Sequence, residues 1–164
     1  MFHKVNILHH CIGIALIFFA LFSSAHAAEP KLYVKDGDSF VFGKKEIRLW
    51  GIDAPEVNQT CYQNGTKYSC GKQARTALLG MIDVSNLRCE EQPRAKHETR
   101  TVARCFVGER DLGRLMVRNG WAIDYEYFSG GFYQDTQAKA HEDKAGLWAG
   151  TFKTPREWRK ANKF

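Results

Sequence analysis

Asp36, Asp38, Arg48, Asp53 and Glu56 fall within 21 consecutive residues, four acids and one fixed positive charge. Asp36-Gly37-Asp38 taken alone reads as a hairpin turn, because Asp and Gly are common turn formers. Asp53-Ala54-Pro55-Glu56 is more specific. Pro55 fixes its own φ and drives Ala54 into an extended conformation, so the Ala54 carbonyl and the Glu56 side chain project from a rigid corner. Fixed oxygens suit a hard cation. Calcium takes about six to eight of them, and the carboxylates of Asp38 and Asp53, the Ala54 carbonyl and several waters would make an open site. An open site keeps positions for substrate and water, as a catalytic metal needs. Arg48, on an alternating strand, shares a face with Trp50 and Ile52 and so needs an anionic partner. Two readings of it stand equal: an ion pair to one of these acids, or a planar clamp on phosphate.

The elements that must position these groups follow from hydrophobic period and turn residues. Lys31–Val34 and Ser39–Phe42 read as strands around the Asp36-Gly37-Asp38 turn, and Gly43-Lys44 leads into a third strand, Glu46–Ile52. Gly71–Ile82 is a predicted helix, with Ala74, Leu78, Met81 and Ile82 recurring at three- and four-residue steps. Leu87–Glu91 and Val102–Phe106 form a predicted antiparallel hairpin centred near His97. A second helix spans Asp111–Asn119, with Asp111 as N-cap and Gly120 as the stop. A third runs from about Tyr133 to Ala145 and ends at Gly146, after which Leu147 and Trp148 fold back onto the core. Strands with about three helices in so short a chain imply a compact α+β domain on a barrel or strongly curved sheet.

Residues 1–27 read as a secretory leader. Lys4 precedes an apolar run from Cys11 to Phe22, too short to span a membrane, and Ala25-His26-Ala27 offers a small-residue cleavage site. The domain then occupies residues 28–150 and a basic tail residues 151–164. Export leaves four cysteines, Cys61, Cys70, Cys89 and Cys105, for which two disulfides are expected. Three pairings are possible. Sequential pairing is favoured, because Cys89 and Cys105 lie eight positions either side of the hairpin centre, and Cys61–Cys70 would close the polar loop Val57–Ser69. His97 and His141 read as surface residues.

The composition, 44% hydrophobic and 26% charged, excludes a disordered chain. The formal net charge is +6, but it is concentrated: the tail holds Lys153, Arg156, Arg159, Lys160 and Lys163 against Glu157 alone. The rest of the exported chain is close to neutral, so overall basicity does not itself argue for a polyanion-binding fold. The tail reads as a detachable contribution to binding long nucleic acid.

Asp36-Gly37-Asp38, Ile47-Arg48-Leu49, Asp53-Ala54-Pro55-Glu56, Thr99-Arg100-Thr101-Val102-Ala103 and the run Leu115 to Ala122 resemble, in order and spacing, the thermonuclease (staphylococcal nuclease-like) family, exported bacterial branch. The resemblance spans about Tyr33 to Trp148. It implies a five-stranded oligonucleotide/oligosaccharide-binding (OB) barrel with three α-helices, and a calcium-dependent endonuclease acting on DNA and RNA that leaves 3′-phosphate ends. By similarity, Asp38, Asp53 and the Ala54 carbonyl would hold Ca2+, with Asp36 an acid one layer further out. Glu56 would activate water, and Arg48 and Arg100 would hold the phosphate. Tyr125 and Tyr127 resemble the tyrosines of the nucleotide pocket.

One departure stands out. Glu98-Thr99-Arg100 replaces the family's Tyr-Gly-Arg, which removes a pocket tyrosine, sets an acid beside a phosphate site and implies weaker nucleotide binding. The alternative reading is an exported single-stranded nucleic-acid-binding module with weak or no cleavage. Its four acids argue against that, since a pure binder gains nothing from carboxylates beside a polyanion unless a cation bridges them. A monomer without stable membrane association, in the periplasm or outside the cell, is expected.

Overall fold

The structure is a computed structural model that describes residues 30–162, so the leader assignment and Cys11 lie outside the described residues. Three strands come first, β1 (Leu32–Val34), β2 (Ser39–Phe42) and β3 (Lys45–Leu49), with β2 antiparallel to both β1 and β3. β3 ends at Leu49 rather than continuing to Ile52. Gly51 turns the chain with φ +72°, and the two-residue β4 (Ile52–Asp53) starts a new direction. Arg48 therefore does not share a face with Ile52, which is buried in the core.

The stretch expected to be a polar loop contains a hairpin, β5 (Cys61–Gln63) and β6 (Thr66–Tyr68). Asn64 and Gly65 form its turn, both at positive φ. Helix α1 (Cys70–Met81) follows and buries Ala74 and Leu78 on one face, as the period requires. Strands β7 (Leu87–Glu91) and β8 (Thr101–Val107) pair antiparallel with Cys89 opposite Cys105. β8 also runs parallel to β3, Arg48 opposite Val102, and takes the two-residue β9 (Arg110–Asp111) beyond the end of that contact.

The main strands thus run β1-β2-β3-β8-β7, the five-stranded, partly open barrel of an OB fold. No hydrogen-bonded pairing joins β7 back to β1 among the described residues, so the barrel curls without closing. Its interior holds Val34, Phe40, Ile47, Leu49, Ala103 and Val107, capped by Leu78 of α1 and Leu112 and Met116 of α2 (Leu112–Arg118). The Asp111 carboxylate accepts from the Arg114 amide at 3.1 Å and caps α2 as its sequence position implies.

Beyond α2 lie β10 (Ile123–Asp124), a short α3 (Glu126–Ser129), α4 (Gln134–Glu142), a single 3-10 turn Gly146–Ala149 and α5 (Pro155–Asn162). Among the described residues five α-helices stand where about three were expected, α3 being too short to show a period and α5 lying in the segment read as a tail. Leu147 does fold back, but onto Cys61 and Cys70 in a second small cluster with Tyr68 and Phe152. Both sequential disulfides, Cys61–Cys70 and Cys89–Cys105, are present.

Candidate active site

Two glycines bring the acids together. At Gly37 an added Cβ would lie 2.8 Å from the side chains of both Ala54 and Ala74, so only glycine lets the Asp36–Asp38 turn seat against the Ala54 corner and α1. At Gly71 it would meet the Glu56 carbonyl oxygen at 1.8 Å, so the first turn of α1 lies directly against the backbone that carries Glu56. Pro55 is buried between these contacts. Asp53 ends β4, whose antiparallel partner β10 delivers Tyr125 to the same side; the Tyr125 amide donates to the Gly51 carbonyl at 2.9 Å.

Asp38 and Asp53 are 2% and 1% exposed. Arg48 bridges them, its Nη1 donating to Asp38 Oδ1 at 3.0 Å and its Nη2 to Asp53 Oδ1 at 3.3 Å. Asp38 Oδ2 accepts from the Ala54 amide at 3.0 Å, which ties the two acidic turns to each other. Burial pushes the Asp38 carboxyl up to about 8, against the opposing pull of Arg48 and with the help of the Asp36 and Asp53 charges. Asp36 serves its own turn: its Oδ1 accepts from the Asp38 amide at 3.0 Å and the Ser39 hydroxyl at 2.6 Å.

Arg100 sits at the head of β8, one residue before the strand that pairs with β3. Glu98 grips it in a fork, Nε to Oε1 at 2.8 Å and Nη2 to Oε2 at 2.6 Å. That hydrogen bonding holds the Glu98 carboxyl down at about 2, below the usual carboxylate range. Asp36, Arg48, Glu56, Glu98, Arg100, Tyr125, Phe128 and Arg159 line one open cleft. Tyr127 is 84% exposed on α3, edge-on to Phe128, so the structure brings only Tyr125 of the two tyrosines to the cleft. His97 and His141 are exposed.

Arg159 is the residue that the sequence reading left out of the site. Its Nη1 donates to Asp53 Oδ1 at 3.0 Å and Glu56 Oε1 at 2.9 Å, and its Nη2 to Asp53 Oδ2 at 2.9 Å. A signal for its helix is present in Thr154-Pro155-Arg156-Glu157, a capping box with proline at the first helical position. The structure forms that box, with the Thr154 amide donating to Glu157 Oε2 at 2.8 Å and the Glu157 amide to Thr154 Oγ1 at 3.2 Å.

Among the described residues no three His, Cys, Asp or Glu side chains form a metal-holding cluster. The corner nonetheless suits a hard cation by its donor chemistry: two desolvated carboxylates, an adjacent backbone carbonyl and only oxygen atoms. Desolvated acids that already collect two guanidinium groups are sites where positive charge is favoured.

The family model described as staphylococcal nuclease homologue matches residues 46–150. Succinoglycan biosynthesis protein ExoI of Rhizobium meliloti is 33% identical over 143 residues, 84% of this chain and 74% of that protein. A probable endonuclease, LCL3, of Phaeosphaeria nodorum is 31% identical over 129 residues, and a probable staphylococcal-like nuclease, CAN2, of Oryza sativa subsp. japonica 28% over 143. These matches cover 71% and 86% of this chain but 42% and 36% of those longer proteins. An OB barrel whose acids, arginines and tyrosine meet in one cleft is thus matched by sequence as well: the chain belongs to the staphylococcal nuclease homologue family.

Proposed function

We propose that the protein is a calcium-dependent endonuclease that hydrolyses phosphodiester bonds of DNA and RNA and leaves 3′-phosphate ends. The observation that carries this reading is one cleft lined by Arg48, Glu56 and Arg100, with buried Asp38 and Asp53 joined to it through Arg48. Asp38, Asp53 and the Ala54 carbonyl would hold the cation, with Asp36 bracing the turn behind them. When bound, the cation supplies charge neutralisation at a phosphoryl oxygen.

The chain's own residues do the rest. Arg48 and Arg100 present planar donors to the non-bridging oxygens and offset the charge that develops there. Glu56, projecting from the rigid corner, accepts a proton from the attacking water as that water adds in line to phosphorus, and the 5′ oxygen departs with a proton from solvent. Tyr125 and Phe128 offer aromatic surface in the same cleft.

The two disulfides support an oxidising, exported compartment, periplasmic or extracellular. No helix among the described residues is long and apolar enough to cross a membrane.

The test is cleavage of single-stranded DNA, double-stranded DNA and RNA by the oxidised protein, with calcium or with chelator. Calcium-dependent cleavage is expected, reduced about 100-fold or more in Glu56→Gln and in Arg48→Ala. Absence of calcium-dependent cleavage by the folded wild type would sink the reading. The fork of Glu98 on Arg100 favours a second one, a single-strand-binding module, which binding without cutting would support.

A further inference from the structure

Helix α5 rests on the domain along one narrow stripe. Pro155 is buried, Trp158 and Arg159 are half-buried, and Arg156, Glu157, Lys160, Ala161 and Asn162 are exposed. The chain leading to it is tethered upstream: Tyr62 and Thr151 exchange backbone hydrogen bonds at 2.9 and 2.8 Å, and Gln59 Nε2 donates to the Lys153 carbonyl at 2.7 Å. Beyond that tether, among the described residues, the ion pairs of Arg159 with Asp53 and Glu56 are the polar side-chain contacts between α5 and the barrel. Trp158 Nε1 is buried and has no hydrogen-bond partner among the described residues, a donor that water would satisfy if α5 lifted.

A divalent cation brought to Asp53 in this arrangement would sit against two guanidinium groups, a crowding of positive charge that favours the departure of one of them. Asp53 Oδ1 accepts from Arg48 and from Arg159, which uses both lone pairs, and its Oδ2 accepts from Arg159. Arginine stays protonated at any physiological pH, so it leaves by movement and not by titration. Arg48 is fixed in a central strand between β2 and β8, whereas Arg159 rides on a helix with few buried groups, the kind of element that opens at low cost.

We propose that Arg159 is an intramolecular counter-ion standing in the cation's place, so that divalent-cation binding at Asp53 and release of α5 from the acids are one exchange. This rests on reading Asp38, Asp53 and Ala54 as cation ligands. In the closed form Arg159 also occupies Glu56, so the same contact that displaces the cation holds the acid meant to activate water. α5 thereby keeps the site idle until the cation arrives.

The test uses the full oxidised chain and calcium chloride alone, without nucleic acid. Calorimetry is expected to show calcium binding about tenfold tighter in Arg159→Gln than in the wild type, the factor that applies when the open form is about a tenth of the population. Arg159→Lys, which keeps the charge and loses the fork, falls between them. Hydrogen exchange of residues 155–162 speeds up on calcium addition in the wild type and is already fast in Arg159→Gln. Equal or weaker calcium binding in a folded Arg159→Gln, or α5 exchange that calcium leaves unchanged, overturns the exchange. Calcium-dependent cleavage alongside either result leaves the nuclease reading standing, whereas absence of calcium binding in every protein removes both.

Discussion

Under the proposed function, Glu98 decides how Arg100 would meet a phosphate. Its carboxylate holds the guanidinium by two side-chain bonds and also accepts from the Arg100 amide at 3.0 Å. Because folding lowers the Glu98 pKa from 4.5 to about 2, its contribution is fully present above pH 4.5 and is lost as pH falls through about 2. The stability difference between wild type and Glu98→Gln, followed by urea unfolding, should therefore stay constant from pH 7 to about 5 and shrink toward pH 2. A difference that grew on acidification would contradict the assignment. In the same variant Arg100 is released, so single-strand affinity should rise by several fold, read by fluorescence anisotropy. Asp36, Asp38, Arg48, Asp53 and Glu56 stand out in the sequence by type and local spacing, whereas Arg100 is marked only by the resemblance of its motif. For Arg48 the structure displays the ion-pair reading, and the phosphate clamp belongs to the proposed function. Arg159 was not legible, because a guanidinium more than a hundred residues from its carboxylates leaves no local pattern.

Among the elements, α1 has the tightest coupling to the site. Gly71 lies where any side chain would collide with the Glu56 carbonyl, so Gly71→Ala must displace either the first turn of α1 or the Glu56 corner. The expected cost is about 2 kcal/mol of stability, measured by denaturant unfolding, with cleavage falling more than the unfolded fraction explains. Gly80, with open space around it, is the control position: Gly80→Ala should be neutral or stabilising. Helix α1, the β7–β8 hairpin and the capped α2 follow from period and capping in the sequence, since each is long enough to show its pattern. The two-residue strands β4, β9 and β10 are too short to carry one and exist through their partners. The β5–β6 hairpin is a different case: Asn64-Gly65 is a strong hairpin turn signal, outweighed in the sequence reading by the polarity of its surroundings.

Across the whole molecule, the polar hairpin and the C-terminal segment depend on a cluster of only Cys61, Cys70 and Leu147 with Tyr68 and Phe152 against it. So small a cluster cannot compensate for loss of its crosslink. Replacing Cys61 and Cys70 together by serine should cost about 3 kcal/mol, the chain-entropy value for a loop of this length, seen as a lowered unfolding midpoint under oxidising conditions. The segment 57–69 and the approach to α5 should show the largest gain in hydrogen exchange, while β7–β8, held by Cys89–Cys105, stays protected. A smaller change there than in β7–β8 would show that the tether does not depend on this bond.

The parallel pairing of β3 with β8 has a consequence in time as well as in space. Arg48 and Val102 become neighbours only after the intervening chain, with the β5–β6 hairpin and α1, has been gathered in, a long loop closure that slows assembly. The β7–β8 hairpin needs no such closure. Arg48 on one side of that seam and Arg100 on the other are therefore expected to meet after the hairpin has formed, so a chain can already be crosslinked at Cys89–Cys105 while the two guanidinium groups are still apart.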